Sequence, residues 1–404
     1  MTGATDKTGG ALRGLRVIDL SRVLGGPLTG QILGDHGADV IKIEPPTGDE
    51  TREWGPPFRD GTASYFDGVN RNKRAMALDL RQDEARAVLL RLLEGADVVL
   101  ENFKTGTMEK WCLGYEEVLS KRFPALIHCR VSGFGADGPL GGLPGYDAIL
   151  QAMGGIMSVN GTDAGGPTRV GLPVVDMVTG LNAMIGILLA LHERTQSGRG
   201  QFIDATLFDS AISLLHPHAA NYLMSGKTPV RTGNNHPNIS PYSTYATGTR
   251  PIYLAVGNDR QFRRLCDEIG APGIADDPRF ASNGDRVTNR AALREALETA
   301  MVTLEGGELA DRLIRAGVPA GPVLDVSESL AHPHTAHRGM RVEIGDYEGI
   351  GAPVRPSRSA PDYRMCPPRF AQHSVDILRE FKFPQEEIDR LTSTGIVPLA
   401  RPGQ

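Results

Sequence analysis

Cysteine is scarce and scattered. Cys112, Cys129, Cys266 and Cys366 form no CxxC pair and no metal-ligand spacing, so neither a disulfide framework nor a metal site is expected. Reduced thiols in a cytoplasmic protein are the expected state. An excess of positive charge is missing too. The formal net charge is −5, which lacks the basic footprint of a nucleic-acid binder. Met1–Gly10 carries no apolar stretch of the signal-peptide kind. The longest apolar helical stretch, around Ala183–Leu191, reads as too short and too interrupted to span a bilayer. No membrane partner is expected. G-x-G-x-x-G, Walker A, H-E-x-x-H and G-x-S-x-G are all absent, and the enzyme classes built on them drop out.

What is present is an ordinary globular composition, 40% apolar and 23% charged over 404 residues. That length suits two domains, or one large α/β domain with an insertion. Leu15–Leu20 and Ala38–Ile43 read as strands around a helix over Pro27–His36. Arg74–Leu80, Ala96–Phe103 and Leu126–Ser132 read as further strands, with a helix over Asp83–Leu93. Gly180 to Leu215 reads as helical, broken at Ser197–Gly200 and by a short strand, Gln201–Thr206. Pro251–Val256 is strand-like, Arg290–Met301 and Glu308–Ala316 are amphipathic, and Ser374 is placed to cap a helix over Val375–Lys382.

The expected fold is therefore α/β. A Rossmann-like parallel-sheet domain covers 1–225, completed by 331–404, and a smaller α+β domain covers 226–330. Ligands of such sheets bind beyond the carboxyl ends of the strands. That puts Ser21–Gly26, Glu44–Pro46, Asn102–Gly106 and Val131–Gly135 on one rim.

Asp176 is a lone acid among apolar and small residues, ahead of an apolar helix. A carboxylate there loses hydration, which costs free energy unless it is hydrogen-bonded or chemically used. It reads either as a helix cap or as a nucleophilic or acid/base group. Tyr146, just before another apolar helix, reads as a buried aromatic with a local hydroxyl partner. Asn102 and Phe103, at a strand end, cap the next turn or hold a ligand. His216, His218, His332, His334 and His337 read as surface residues rather than metal ligands.

Several runs, in order, resemble a known family. They are Asp19-Leu-Ser-Arg-Val-Leu-Gly-Gly-Pro27, Gly37-Ala-Asp-Val-Ile-Lys-Ile-Glu44, Asn72-Lys-Arg74, Glu101-Asn-Phe103 with Gly106, Leu113-Gly-Tyr115, and Gly133-Phe-Gly135 with Gly138-Pro139. Pro167-Thr-Arg-Val-Gly171, Asp176 and Thr195–Asp204 continue the series. Together they resemble the family III CoA-transferases, the superfamily of formyl-CoA transferases and alpha-methylacyl-CoA racemases, over nearly the whole chain. His218–Tyr222, Gly233–Pro241 and Gly317–Pro322 look closest to dicarboxylate CoA-transferases such as the succinate–hydroxymethylglutarate enzymes.

The resemblance implies that Asp176 forms an aspartyl anhydride and then an aspartyl-CoA thioester. It implies coenzyme A contacts at Arg22, Leu24, Gly25, Leu78, Asn102, Phe103 and Tyr146, with Lys110 as a phosphate contact. Tyr146, His236 and Asn238 are candidates for holding a carboxylic or dicarboxylic acid, with succinyl-CoA as donor. Two departures stand out: Pro45 replaces an arginine, and Asn234–Ser240 replaces a glycine-rich mobile loop. Racemases of the family carry a histidine where Tyr146 stands. A phenol with pKa about 10 is a poor proton shuttle near neutrality, which favours transfer. The alternatives are an acyl-CoA racemase or isomerase using Asp176 as base, and a CoA-binding protein without catalysis. The family also implies an interlocked, ring-like homodimer and no metal.

Overall fold

Short apolar runs pair into one parallel sheet in the computed structural model, which describes residues 10–400. Of Met1–Gly10, only Gly10 is among them. The strands are β1 (Arg16–Asp19), β2 (Asp39–Glu44), β3 (Lys73–Ala77), β4 (Val98–Glu101), β5 (Ile127–Ser132) and β6 (Phe202–Thr206). They lie in the order β3-β2-β1-β4-β5-β6, all parallel. Val98, Val99 and Leu100 are all buried, as a parallel sheet covered on both faces requires. The strand order reverses between β1 and β4, and the chain leaving their carboxyl ends opens a crevice there.

The helices of this unit include α1 (Gly25–Asp35), α2 (Asp83–Leu93), α3 (Asp147–Met153), α4 (Val174–Ser197) and α5 (Leu207–Ser213). On one side α2 buries Val88, Leu89 and Leu92 against Ile18, Ile41 and Val99, together with Ile377 and Leu391 of the tail helices Ser374–Glu380 and Gln385–Ser393. On the other, α1 and α4 cross at backbone contact. A Cβ on Gly180 would lie 2.6 Å from the Gly25 carbonyl oxygen, and one on Gly25 would lie 3.2 Å from that of Asp176. At Gly180 only glycine permits this approach. Thr29 Oγ1 donates to the Gly25 and Gly180 carbonyls at 3.0 and 2.9 Å, and α1 starts at Gly25 rather than Pro27 because Leu28 N already donates to the Leu24 carbonyl at 2.8 Å.

Three further expectations are corrected. α4 starts six residues before Gly180 and runs for 24 residues, so by length and composition it could cross a membrane. In the folded unit one side of α4 packs on α1, β5 and β6. Ser374 is the first helical residue, His373 being the N-cap, and its hydroxyl donates to the Ala371 carbonyl at 3.0 Å. The second unit comprises Ile156–Arg169 and Pro217–Pro333, so it starts at 217 rather than 226 and takes in an earlier excursion. Gly233 N donates to the Gly161 carbonyl at 3.0 Å and Arg231 Nε to that of Thr162 at 3.2 Å, tying the excursion in. This unit has an antiparallel sheet, Ala320–Pro322, Ile252–Ala255 and Tyr242–Tyr245. Helices Asp259–Glu268, Arg290–Met301 and Gly306–Arg315 close its core around Leu254, Phe262, Leu297 and Leu313.

Candidate active site

The crevice at the reversal point is bridged by one side chain. Asn102, just beyond β4, accepts from Arg22 N at 2.9 Å and donates to the Arg22 carbonyl at 2.7 Å. This joins the loop after β1 to the loop after β4. The β1 loop turns at Val23 with φ 71, a conformation rare for a β-branched residue. Beneath it lies a buried charge cluster. Lys42 Nζ donates to the Ser21 carbonyl (2.8 Å) and to Asp49 (3.0 Å), and Lys73 Nζ to Asp19 (2.9 Å) and the Pro27 carbonyl (2.8 Å). Burial would raise the Asp49 carboxyl, yet Lys42 and Thr51 hold it at about 2. Burial pulls Lys73 down to about 8 against the attraction of Asp19.

Arg22, Leu24, Gly25, Asn102, Phe103, Tyr146 and Asp176 all line one cleft of about 210 Å³. Asp176 is the third residue of α4, whose N-cap, Pro173, offers no side-chain acceptor. The cap comes from elsewhere. Asp147, the first residue of α3, accepts from Val175 N at 2.8 Å and from Asp176 N at 3.3 Å. Gln151 holds Asp147 at 2.7 Å and accepts from Val170 N at 2.9 Å, fixing the segment ahead of α4. Asp147 thus takes the capping role that Asp176 might have filled, leaving the Asp176 carboxylate free to face the cleft. Burial first, and the charge of Asp147 second, push the Asp176 carboxyl up to about 7. Among the described residues no cation offsets them. The Tyr65 hydroxyl is pushed up by burial and by the charges of Asp176, Asp147 and Asp49.

A second cleft, of about 400 Å³, shares Arg22, Phe103 and Lys104 with the first. Leu78 lines it, with Pro45, Pro46, Leu80 and Trp111 as apolar walls and Arg81 as a further cation. Asp79 grips Arg81 at 2.7 and 2.9 Å. Lys110 is exposed and lines neither cleft; Lys104 lines both. Tyr146 is 61% exposed rather than buried, because it sits at the N-cap of α3. His236 and Asn238 belong to the second unit. There His236 stacks on Tyr242 at 4.8 Å and accepts from Asn238 N at 3.1 Å, while Asn221 donates to Asn238 at 3.1 Å. A larger cavity, about 550 Å³, sits at the amino ends of the strands. Its Arg16 and Arg74 are consumed by Asp39 and Glu380.

Sequence reasoning missed Asp147, Gln151, Lys104, Arg81, Asp49 and Tyr65. Asp147 carried one signal, an acid opening a helix just after Pro144-Gly-Tyr.

Comparison with known proteins matches this architecture to a family. The family model described as CoA-transferase family III matches residues 12–374. The chain is 42% identical over 383 residues to the succinate–glutarate CoA-transferase of Agrobacterium fabrum, covering 92% of this chain and 96% of that protein. It is 41% identical over 382 residues to the acetyl-CoA:oxalate CoA-transferase of Acetobacter aceti, covering 94% and 98%. A crystal structure of a CAIB/BAIF family protein from Brucella suis superposes with a TM-score of 0.85 at 42% identity, covering 93% of this chain and all, 100%, of that one. The chain therefore belongs to CoA-transferase family III and is an enzyme that transfers acyl-CoA groups.

Proposed function

We propose that the protein moves CoA from succinyl-CoA to a dicarboxylic acid through covalent intermediates on Asp176. One observation carries this: a partly buried carboxylate with no cationic partner among the described residues, held near pKa 7 at the mouth of a long helix and lining a cleft. Raised basicity makes a carboxylate a better nucleophile, and a charge left uncompensated by the fold is available to a reaction.

The Asp176 carboxylate attacks the thioester carbonyl; the C–S bond breaks, CoA thiolate leaves, and a mixed anhydride forms. The thiolate attacks the aspartyl carbonyl, releasing succinate and leaving an aspartyl-CoA thioester. The acceptor carboxylate attacks that thioester and expels the thiolate, which then attacks the acceptor carbonyl of the new anhydride. Acyl-CoA leaves and the Asp176 carboxylate is restored, with no net proton change. An anhydride needs a site poor in water, and Val23, Leu24, Val131, Leu143 and Leu207 line this one. Leu24, the N-cap of α1, supplies no side-chain cap, so first-turn N–H groups beside Gly25 are available to an oxyanion. Arg22 and Lys104 suit the phosphates of CoA, and the apolar slot around Leu78 suits its adenine. The acids named for the relatives, glutarate and oxalate, support a dicarboxylate acceptor.

A homodimer belongs to the same proposal. Met177, Leu181, Ile185, Leu188 and Leu189 form a stripe on α4, each between 41% and 65% exposed. A continuous apolar stripe of this kind calls for a partner surface. The test of function is a panel of acids offered with succinyl-CoA to the protein and to Asp176→Ala, with acyl-CoA products read by mass. Transfer by the parent alone, with CoA binding intact in both, supports the reading. Equal transfer by Asp176→Ala overturns it, as does deuterium wash-in at the acyl α-carbon without any acceptor.

A further inference from the structure

Asp49 lies outside both clefts yet joins the two backbone segments that shape the first. Its carboxylate, fully buried, accepts from Lys42 Nζ at 3.0 Å, from Thr51 N and Oγ1 at 3.1 and 2.8 Å, and from Val23 N at 3.4 Å. Lys42, fully buried as well, adds the Ser21 carbonyl at 2.8 Å. The pair therefore spans the β1 loop on one side and the short helix Glu50–Glu53 on the other. Across the top, Arg22 Nη1 meets Glu50 at 3.0 Å. The residue between these anchors is Val23, whose φ of 71 is conformationally costly for a β-branched side chain. Left alone, Val23 would relax to negative φ and swing Arg22 and Leu24 away from the cleft they line.

A buried ion pair is poor value as a stabiliser, since apolar groups of the same volume often serve equally well. Fixing a strained turn is a task that apolar groups do not perform, because it needs a directional acceptor for Val23 N and a donor for the Ser21 carbonyl. We infer that Asp49 and Lys42 are positioning residues that hold the Val23 turn in its left-handed conformation and so preorganise the β1 loop for CoA.

The inference rests on CoA occupying the cleft, and Arg22→Ala tests that separately. Titration calorimetry with free CoA should show affinity for the parent and clear weakening in Arg22→Ala; parent affinity in Arg22→Ala would remove the cleft reading itself. Asp49→Ala, which removes the acceptor for Val23 N, should weaken CoA binding about tenfold or more and raise the KM for succinyl-CoA with kcat little changed. Lys42→Met/Asp49→Leu should regain the parent's thermal midpoint without regaining CoA affinity. Val23→Gly alone sets the reference for loss of the valine side chain from the cleft; added to Asp49→Ala it should bring affinity back to within about threefold of that reference, because glycine adopts positive φ without cost. Parent-like affinity in folded Lys42→Met/Asp49→Leu would reduce the pair to a structural role. Failure of Val23→Gly to restore affinity would overturn the link to the turn.

Discussion

A fully buried carboxylate and a half-buried one in the same unit meet opposite fates. Asp49 lies against Lys42 and two Thr51 donors and is held at about 2. Asp176 lies partly buried near another carboxylate, without a cation, and is pushed up to about 7. The fold spends its opposite charges on the loop that shapes the site and withholds them from the residue that reacts. A satisfied carboxylate is inert scaffolding; an unsatisfied one is a poised nucleophile.

The sharpest way to break the contrast is to delete the reactive member. Asp176→Ala should lower kcat at least about 10⁴-fold with CoA affinity unchanged, as measured by steady-state transfer and calorimetry. Next in size is Lys42→Met, which strands a buried charge on Asp49 and should cost about 3–5 kcal/mol of stability in chemical denaturation. Asp176→Asn should move stability the other way. The folded state raises this carboxyl above its ordinary 3.8, so the folded state binds its proton more tightly, and ionisation opposes folding increasingly as pH rises from about 4 to 7. Removing the acid should therefore stabilise the protein by about 2–4 kcal/mol at pH 8. The gain should shrink below pH 7 and vanish below about pH 4. A loss of stability in Asp176→Asn at pH 8 would erase the contrast.

The smallest effect probes how Asp147 contributes. Transfer should show an acid limb in kcat/KM near pH 7, because the protonated carboxyl of Asp176 is not a nucleophile. Asp147→Asn keeps an oxygen for Val175 N but loses the charge, so that limb should move to lower pH. An unmoved limb would leave burial as the sole cause of the shift.

Much of the sheet was legible because parallel strands are short apolar runs between Gly- and Pro-rich turns, and the rim followed from strand direction alone. Asp176 was legible as a carboxylate out of place. Asp147 was not, because its role depends on a helix that begins 27 residues later and takes its cap from outside itself. Lys42 in Asp-Val-Ile-Lys-Ile-Glu reads as an exposed position of a strand, yet it is fully buried because both faces of the sheet are covered. Lys110 and Lys104 are equally basic in sequence. Gly106, at φ 86, starts a new helical turn between them, and of the two lysines only Lys104 faces the clefts.

The covalent role of Asp176 is tested most directly by trapping. The protein is incubated with succinyl-CoA, quenched with hydroxylamine, digested, and read by peptide mass spectrometry. Expected is a hydroxamate on the peptide containing Asp176, dependent on the thioester and absent from Asp176→Asn. Sustained CoA transfer with an unmodified Asp176 peptide would contradict covalent catalysis there.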